Sequence, residues 1–188
     1  DLRISANRAT LGRTEIRDVG FSLLVTRGKA ELSIAEAKAF GGALKARVSA
    51  QASTTGSGYL VQANAGFLKV DSAAMLGELF RSQTFSGEAN GDFALIGEGA
   101  SISQVLNSLR GTASVDLANG DIGGIDLENA LRRLEKQPLS VASSIRNGRT
   151  SFRTANLGLD IAAGVATVRR FEAKGAGVEV SASGAVSI

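Results

Sequence analysis

Apolar and polar residues alternate along most of the chain, which is typical of antiparallel strands with one buried face and one wet face. The alternation is clear over residues 16–25, 30–34, 44–50 and 59–67, and it returns over 155–161. Glycine-containing segments separate these stretches and predict tight turns between neighbouring strands.

Apolar residues take helical spacing at three places, each preceded by a residue that can cap a helix. Asp71, Ser101 and Asp126 are the predicted N-caps. The apolar stripes that follow are Met75, Leu76, Leu79 and Phe80; Ile102, Val105, Leu106 and Leu109; and Leu127, Ala130, Leu131 and Leu134. Such helices could lie on a membrane surface or pack against a sheet. Packing is favoured because only the third has an Arg-rich polar face, at Arg132 and Arg133.

These patterns predict a β-rich (α+β) fold: a curved antiparallel sheet with about three short amphipathic helices. A hairpin turn is expected at Asn119-Gly120, the strongest two-residue turn signal in the chain. We expect residues 1–188 to form a single module. Its parts are a β ribbon over 1–68, a strand–helix central part over 69–138 and a closing β ribbon over 149–188.

Residues 23–38 align with residues 159–174 without a gap. Gly28 falls on Gly164, and the run 36–38 (Glu-Ala-Lys) falls on an identical run at 172–174. This match favours a structural repeat over chance convergence of two hairpins.

The composition argues against catalysis. The chain has no Cys and no His, which removes thiolate chemistry, nearly all zinc sites and the commonest general base. The net charge of +3 is modest, and no basic run is interleaved with aromatic residues, so nucleic-acid binding is not expected. No stretch of 18 apolar residues occurs, so no transmembrane segment is expected within these residues. We predict a non-enzyme without catalytic, metal-binding or cofactor-binding residues.

Four polar groupings resemble reactive sites, but none has the full pattern that such a site requires. Glu88, Asp92 and Glu98 lie near glycines and could form a carboxylate pair, but Glu88 and Asp92 fall on the polar face of one strand, where solvated charge is the default. The segment 97–99 (Gly-Glu-Gly) lacks the Lys-Ser/Thr of a phosphate loop. The acidic residues Asp116, Asp121 and Asp126 lack the density of a calcium loop, and Ser101, Ser103 and Ser108 have no His to activate them.

The order of these signals resembles the C-terminal region of the AsmA family over nearly the whole chain. The resemblance is most specific over residues 68–134. It rests on Val70-Asp71 before a Leu-rich helix, and on the segments 85–95 (FSGEANGDFAL), 97–101 (GEGAS), 106–115 (LNSLRGTASV), 120–127 (GDIGGIDL) and 177–186 (GVEVSASGAV).

The resemblance implies a Gram-negative envelope protein involved in outer-membrane biogenesis or in phospholipid transport between membranes. It implies a periplasmic module of an inner-membrane-anchored protein, whose anchor would lie in a segment absent from these residues. The expected partners are phospholipid and envelope proteins. The alternative function is a protein–protein docking or assembly module that uses the exposed edges of the sheet.

If an apolar groove exists, one sheet face supplies it. The candidate lining residues are Tyr59, Val61, Phe67, Phe93, Leu95, Leu157, Leu159 and Ile161. The competing interpretation is an ordinary core that the helices cover. Replacing Leu159 by Asp separates the two, because loss of folding indicates a core and loss of lipid from a folded protein indicates a groove.

Overall fold

A single antiparallel sheet of ten strands runs through the part of the chain that the computed structural model describes, residues 1–12, 14–54, 58–81, 84–124, 126, 148–163, 165–175 and 179–187. Each strand pairs with the next one along the chain. The strands are β1 (Leu2–Leu11), β2 (Thr14–Thr26), β3 (Lys29–Ala39), β4 (Gly42–Ala52), β5 (Tyr59–Asp71), β6 (Glu88–Gly99), β7 (Arg110–Gly123), β8 (Arg149–Ala162), β9 (Val165–Lys174) and β10 (Glu179–Ser187). Helix α1 (Ser72–Phe80) follows β5, and helix α2 (Ile102–Asn107) follows β6.

The β-rich antiparallel fold predicted from the alternation is confirmed. The described residues contain two helices, α1 and α2, rather than about three, and neither is long and apolar enough to cross a bilayer. The third predicted helix, over residues 127–134, lies outside the described residues. The predicted caps Asp71 and Ser101 are confirmed, because each side chain accepts backbone N–H bonds from the first turn of its helix.

The strand register places apolar residues on one face through all ten strands. Directly paired neighbours form an unbroken row: Ile4, Phe21, Ile34, Ala46, Ala65, Phe93, Ala113, Leu159, Val168 and Gly184. We call this side the apolar face. The row beside it lies on the opposite side, the polar face, and includes Arg3, Ser22, Ser33, Arg47, Asn64, Thr112, Asp160 and Thr167.

Irregularities interrupt several strands near the end of the sheet where α1 lies. Asp18 and Lys69 have positive φ (50° and 54°) and sit at register shifts of β2 and β5. The backbone N–H of Lys69 donates to Asn90 Oδ1 at 2.8 Å, so the side chain satisfies a donor that the ladder leaves free. Bulges of this kind bend a strand and increase its twist.

The hairpin predicted at Asn119-Gly120 is wrong, because both residues lie within β7. Asn119 does take a positive φ of 50°, the conformation that makes Asn-Gly a turn signal. Here that conformation produces a local irregularity while pairing with β8 continues through Gly120 and Phe152. A turn signal therefore marks the backbone conformation without fixing whether the chain reverses.

The sheet is largely a single layer. The chain exposes 12345 Å² of surface, whereas a compact protein of 19.3 kDa exposes roughly 8,500 Å². A cluster of buried residues, Phe152, Ala155 and Ala173, lies between β8 and β9, with Leu117 and Phe171 packed against it. Most of the remaining apolar side chains on the apolar face stay partly accessible.

The repeat seen in the sequence corresponds to two hairpins, β2–β3 and β8–β9. The equivalent residues Ala37 and Ala173 are both buried. The bulges of the two hairpins fall at non-equivalent positions, at Ala35 in β3 and at Arg169 in β9, so the repeat is approximate.

Candidate functional site

An apolar groove of about 580 Å³ lies between α1 and the apolar face of strands β5 to β10. Across six strands spaced about 4.8 Å apart, it extends roughly 24 Å. Its lining residues are Phe67, Ser72, Met75, Leu76, Phe85, Ala89, Val115, Leu117, Ala155, Asn156, Leu157, Val168, Phe171, Ala182, Ser183 and Gly184.

Helix α1 forms one wall of this groove. Asp71 Oδ1 accepts the N–H of Ala73 at 2.9 Å and that of Ala74 at 3.1 Å, which starts the helix directly after β5. Ser72 Oγ donates to the carbonyl of Gly87 at 2.9 Å and ties this end of α1 to the segment before β6. The helix is thereby held at its N-terminal end, with Met75 and Leu76 turned towards the sheet.

No charged side chain lines the groove among the described residues. The hydroxyl of Ser72 is engaged by Gly87, and the amide of Asn156 donates to Asp116 on the polar face. The groove therefore offers apolar contacts almost alone. Such a surface suits a hydrocarbon ligand and provides few groups that could orient a polar substrate.

Helix α2 covers the same face at the other end of β6. A Cβ added to Gly97 would come within 2.6 Å of the Val105 carbonyl oxygen, so the helix backbone rests directly on the strand. Ser108 Oγ accepts the N–H of Glu98 at 2.7 Å and donates to the Glu98 carbonyl at 2.8 Å. The absence of a side chain at Gly97 is what allows this close approach.

Neither helix covers the apolar face over strands β1 to β4. Leu2, Ile4, Leu32 and Val48 lie there and are between 39% and 51% exposed. Monomeric proteins rarely expose a continuous apolar surface of this kind unless it binds something. The apolar face thus extends beyond the groove, across about 43 Å of sheet at the usual strand spacing.

All eight residues predicted to line a groove lie on the apolar face by register. Phe67 and Leu157 line the groove beneath α1, whereas the other six lie on the same face outside it. Tyr59 is the most exposed of the eight, at 58%. Whether any of them contacts lipid stays a prediction.

Sequence reasoning missed part of the lining. The missed residues on the strands are Ala89, Val115, Leu117, Val168, Phe171 and Ala182. They share the period-two alternation of the predicted ones, so the signal was present, but the position of α1 selects which part of the apolar face is enclosed.

The polar face carries paired charges and hydrogen bonds. Ser114 Oγ donates to Asp92 at 3.1 Å, and Ser151 Oγ donates to Asp121 at 2.6 Å. Arg170 donates to Glu172 at 2.7 Å, and this hydrogen bond lowers the pKa of the Glu172 carboxyl. These exposed pairs contribute little stability each.

The described residues contain no group of three or more carboxylates that could hold a metal ion. Glu88 and Asp92 lie on the polar face, as predicted, and each faces solvent.

Comparison with known protein families gives one result. The model of the AsmA family matches residues 1–171. No curated protein and no solved structure gives a significant match. The family model covers most of the chain, and the chain belongs to the AsmA family.

Proposed function

We propose that this chain is a non-enzymatic module of a cell-envelope protein that binds the acyl chains of phospholipid along its apolar face and so supports lipid movement between membranes. The observation that carries the proposal is the apolar face, which is continuous across all ten strands and which forms a groove with α1 over part of β5 to β10. Folding alone does not explain why a single-layer sheet keeps one apolar face exposed to solvent.

The dimensions of the groove suit an acyl chain. Its volume of about 580 Å³ falls within the range of small-molecule sites. Its length of roughly 24 Å exceeds the ~15 Å that one leaflet contributes to the hydrocarbon core of a bilayer. Each CH₂ buried there contributes about 0.8 kcal/mol, so a fully seated chain needs no polar contact to be held.

The continuity of the face favours movement over storage. A closed pocket would hold one ligand, whereas the face passes from the groove onto the open strands β1 to β4. An acyl chain could therefore shift from strand to strand without leaving an apolar surface. The head group would stay in water, since the groove has no charged lining residue among those described.

Membership of the AsmA family supports an envelope setting and a link to outer-membrane biogenesis. We place the module in the periplasm, as part of a protein anchored in the inner membrane. The absence of His and Cys supports a role without catalysis.

Phospholipid retained through purification tests the proposal. The protein is isolated without detergent, and its organic extract is analysed by mass spectrometry. The Gly184→Leu variant places a side chain in the groove, and a Cβ at Gly184 meets no atom within 4 Å, so the fold tolerates it. The matched control is Gly20→Leu, which also meets no atom and lies on β2, far from the groove.

Wild type and Gly20→Leu should retain phospholipid, and Gly184→Leu should retain several-fold less. Equal retention by all three proteins, or none by the wild type, would contradict lipid binding in the groove.

A second candidate is docking of another protein at a sheet edge. In the described residues β1 and β10 each pair with one neighbour, so each presents a row of backbone groups that can accept a strand. Crosslinking in cells separates the candidates, because lipid adducts on the apolar face support the first and protein adducts at β10 support the second.

A further inference from the structure

The sheet covers only part of the apolar stripe formed by α2 and the residues directly after it. Val105 and Leu109 lie against Gly97 on the apolar face of the sheet. Ile102 and Leu106, spaced four residues apart on the helix, point outward and are 81% and 54% exposed. The sequence predicted all four as one buried stripe, so the outward pair is left without a partner among the described residues.

Tyr59 extends this surface. It pairs with Gly99 at the end of β6, beside the point where α2 rests on the sheet, and it is 58% exposed. Tyrosine is enriched at membrane interfaces because its ring is apolar and its hydroxyl is polar. Ile102, Leu106 and Tyr59 together form what we call the α2 patch.

The α2 patch lies at an end of the sheet that also carries cations. Arg110 follows α2 and, through its pairing with Ile96, lies on the polar face at the start of β7. Arg27 lies in the turn between β2 and β3 at the same end of the sheet. Neither has a carboxylate within ion-pair distance among the described residues. No acidic residue lies on α2.

Nearby carboxylates are already engaged. Glu31 binds Lys29 at 3.2 Å and Arg47 at 3.4 Å, Asp160 binds Arg169 at 2.9 Å, and Glu98 accepts the hydroxyl of Ser53. At the opposite end of the sheet acidic and basic residues are mixed: Asp71, Glu78 and Glu88 lie near Lys69 and Arg81, and Asp18 is paired with Lys38 at 2.7 Å. The α2 end combines its cations with the exposed apolar side chains of the α2 patch.

We infer that the α2 patch docks on an anionic phospholipid bilayer, with Ile102, Leu106 and Tyr59 entering the interface and Arg27 and Arg110 meeting lipid phosphates. Apolar side chains combined with unpaired cations are the recurring design of interfacial membrane contacts. The inference deepens the proposed function by stating where the module touches a membrane. It does not require an acyl chain in the groove.

Vesicle sedimentation tests this inference. The protein is mixed with vesicles of 70% phosphatidylethanolamine and 30% phosphatidylglycerol, or of phosphatidylcholine alone, at low and high salt. Wild type should sediment with the anionic vesicles at low salt and much less at high salt. The Ile102→Ser/Leu106→Ser variant should bind roughly tenfold more weakly, since two apolar side chains no longer enter the interface.

Leu79→Ser is the matched control, because Leu79 is an exposed leucine on α1 at 57%. It should bind like wild type. Wild-type binding by the double variant, or no sedimentation of the wild type with anionic vesicles, would overturn the inference. In the latter case the patch would be a surface for protein.

A fluorescence measurement avoids any loss of folding. The chain has no Trp, so Ile102→Trp introduces a single reporter at an exposed position. Its emission should shift to shorter wavelength with anionic vesicles and be quenched by bromine-labelled acyl chains, whereas Leu79→Trp should show neither change. Unchanged emission at position 102 would contradict insertion. The Gly184→Leu variant should still bind vesicles, so failure of the groove and failure of the patch are distinguishable.

Discussion

Removal of the N-cap of α1 tests whether this helix is a separable wall of the groove. Asp71 Oδ1 holds two backbone donors, the N–H groups of Ala73 and Ala74, at 2.9 and 3.1 Å. Asp71→Ala leaves both donors to water and costs about 1 kcal/mol of helix stability. Since 1.4 kcal/mol corresponds to a factor of ten, local opening of α1 should become roughly fivefold more frequent.

Hydrogen–deuterium exchange measures this opening directly. Amides within α1 (Ser72–Phe80) should exchange about fivefold faster in Asp71→Ala, whereas amides in the centre of β7 and β8 should keep their wild-type rates. Asp71→Asn is the matched control, because asparagine keeps a capping oxygen. Its exchange rates should stay close to those of the wild type.

Two outcomes would contradict this role of the Asp71 cap. Unchanged exchange in α1 would mean that the cap does not limit its opening. Equal acceleration in α1, β7 and β8 would mean that α1 unfolds only together with the sheet and cannot act as a movable wall.

Three further predictions follow from packing and charge. Phe152→Ala should cost about 3–5 kcal/mol in urea unfolding, because Phe152 is 5% exposed in the cluster between β8 and β9; a cost below 1 kcal/mol would contradict that packing. Gly97→Ala should cost about 1–3 kcal/mol by pushing α2 off β6, whereas Gly20→Ala, which meets no atom within 4 Å, should change stability little; equal effects would be inconsistent with the close approach of α2. The hydrogen bond from Lys38 lowers the pKa of Asp18 in the folded protein. The pair therefore stabilises the fold at a pH above the unfolded pKa of Asp18, and this stabilisation is lost as the pH falls through the folded pKa. The melting temperature should therefore decrease slightly below pH 4, and by less in Asp18→Asn; an equal decrease in both proteins would contradict the assignment.

The strands and the two described helices could be predicted because their signals are local. Period-two alternation requires only neighbouring residues, and Asp71 and Ser101 cap the helices through backbone groups two or three residues away. The apolar face also followed from alternation, since a strand with one apolar side must place it next to the apolar side of its neighbour.

The enclosed part of the groove could not be predicted, because it depends on distant contacts. The position of α1 is fixed by the bond between Ser72 and Gly87, and that of α2 by the bare backbone at Gly97. Nothing in the apolar stripe of α2 showed that Ile102 and Leu106 would stay exposed. Asn119 shows the same limit, because its turn signal predicted a hairpin, whereas the residue takes a positive φ within β7 and the strand continues.

A photocrosslinker placed in turn on either side of one strand tests whether the apolar face holds acyl chains. Phe171 lines the groove from β9, and Thr167 lies on the polar face of the same strand. Benzoylphenylalanine replaces each in turn, the cells are irradiated, and the purified protein is analysed by intact mass. Binding of acyl chains on the apolar face predicts phospholipid adducts at position 171 and none at 167. Protein adducts at 171, or equal lipid labelling at both positions, would contradict it.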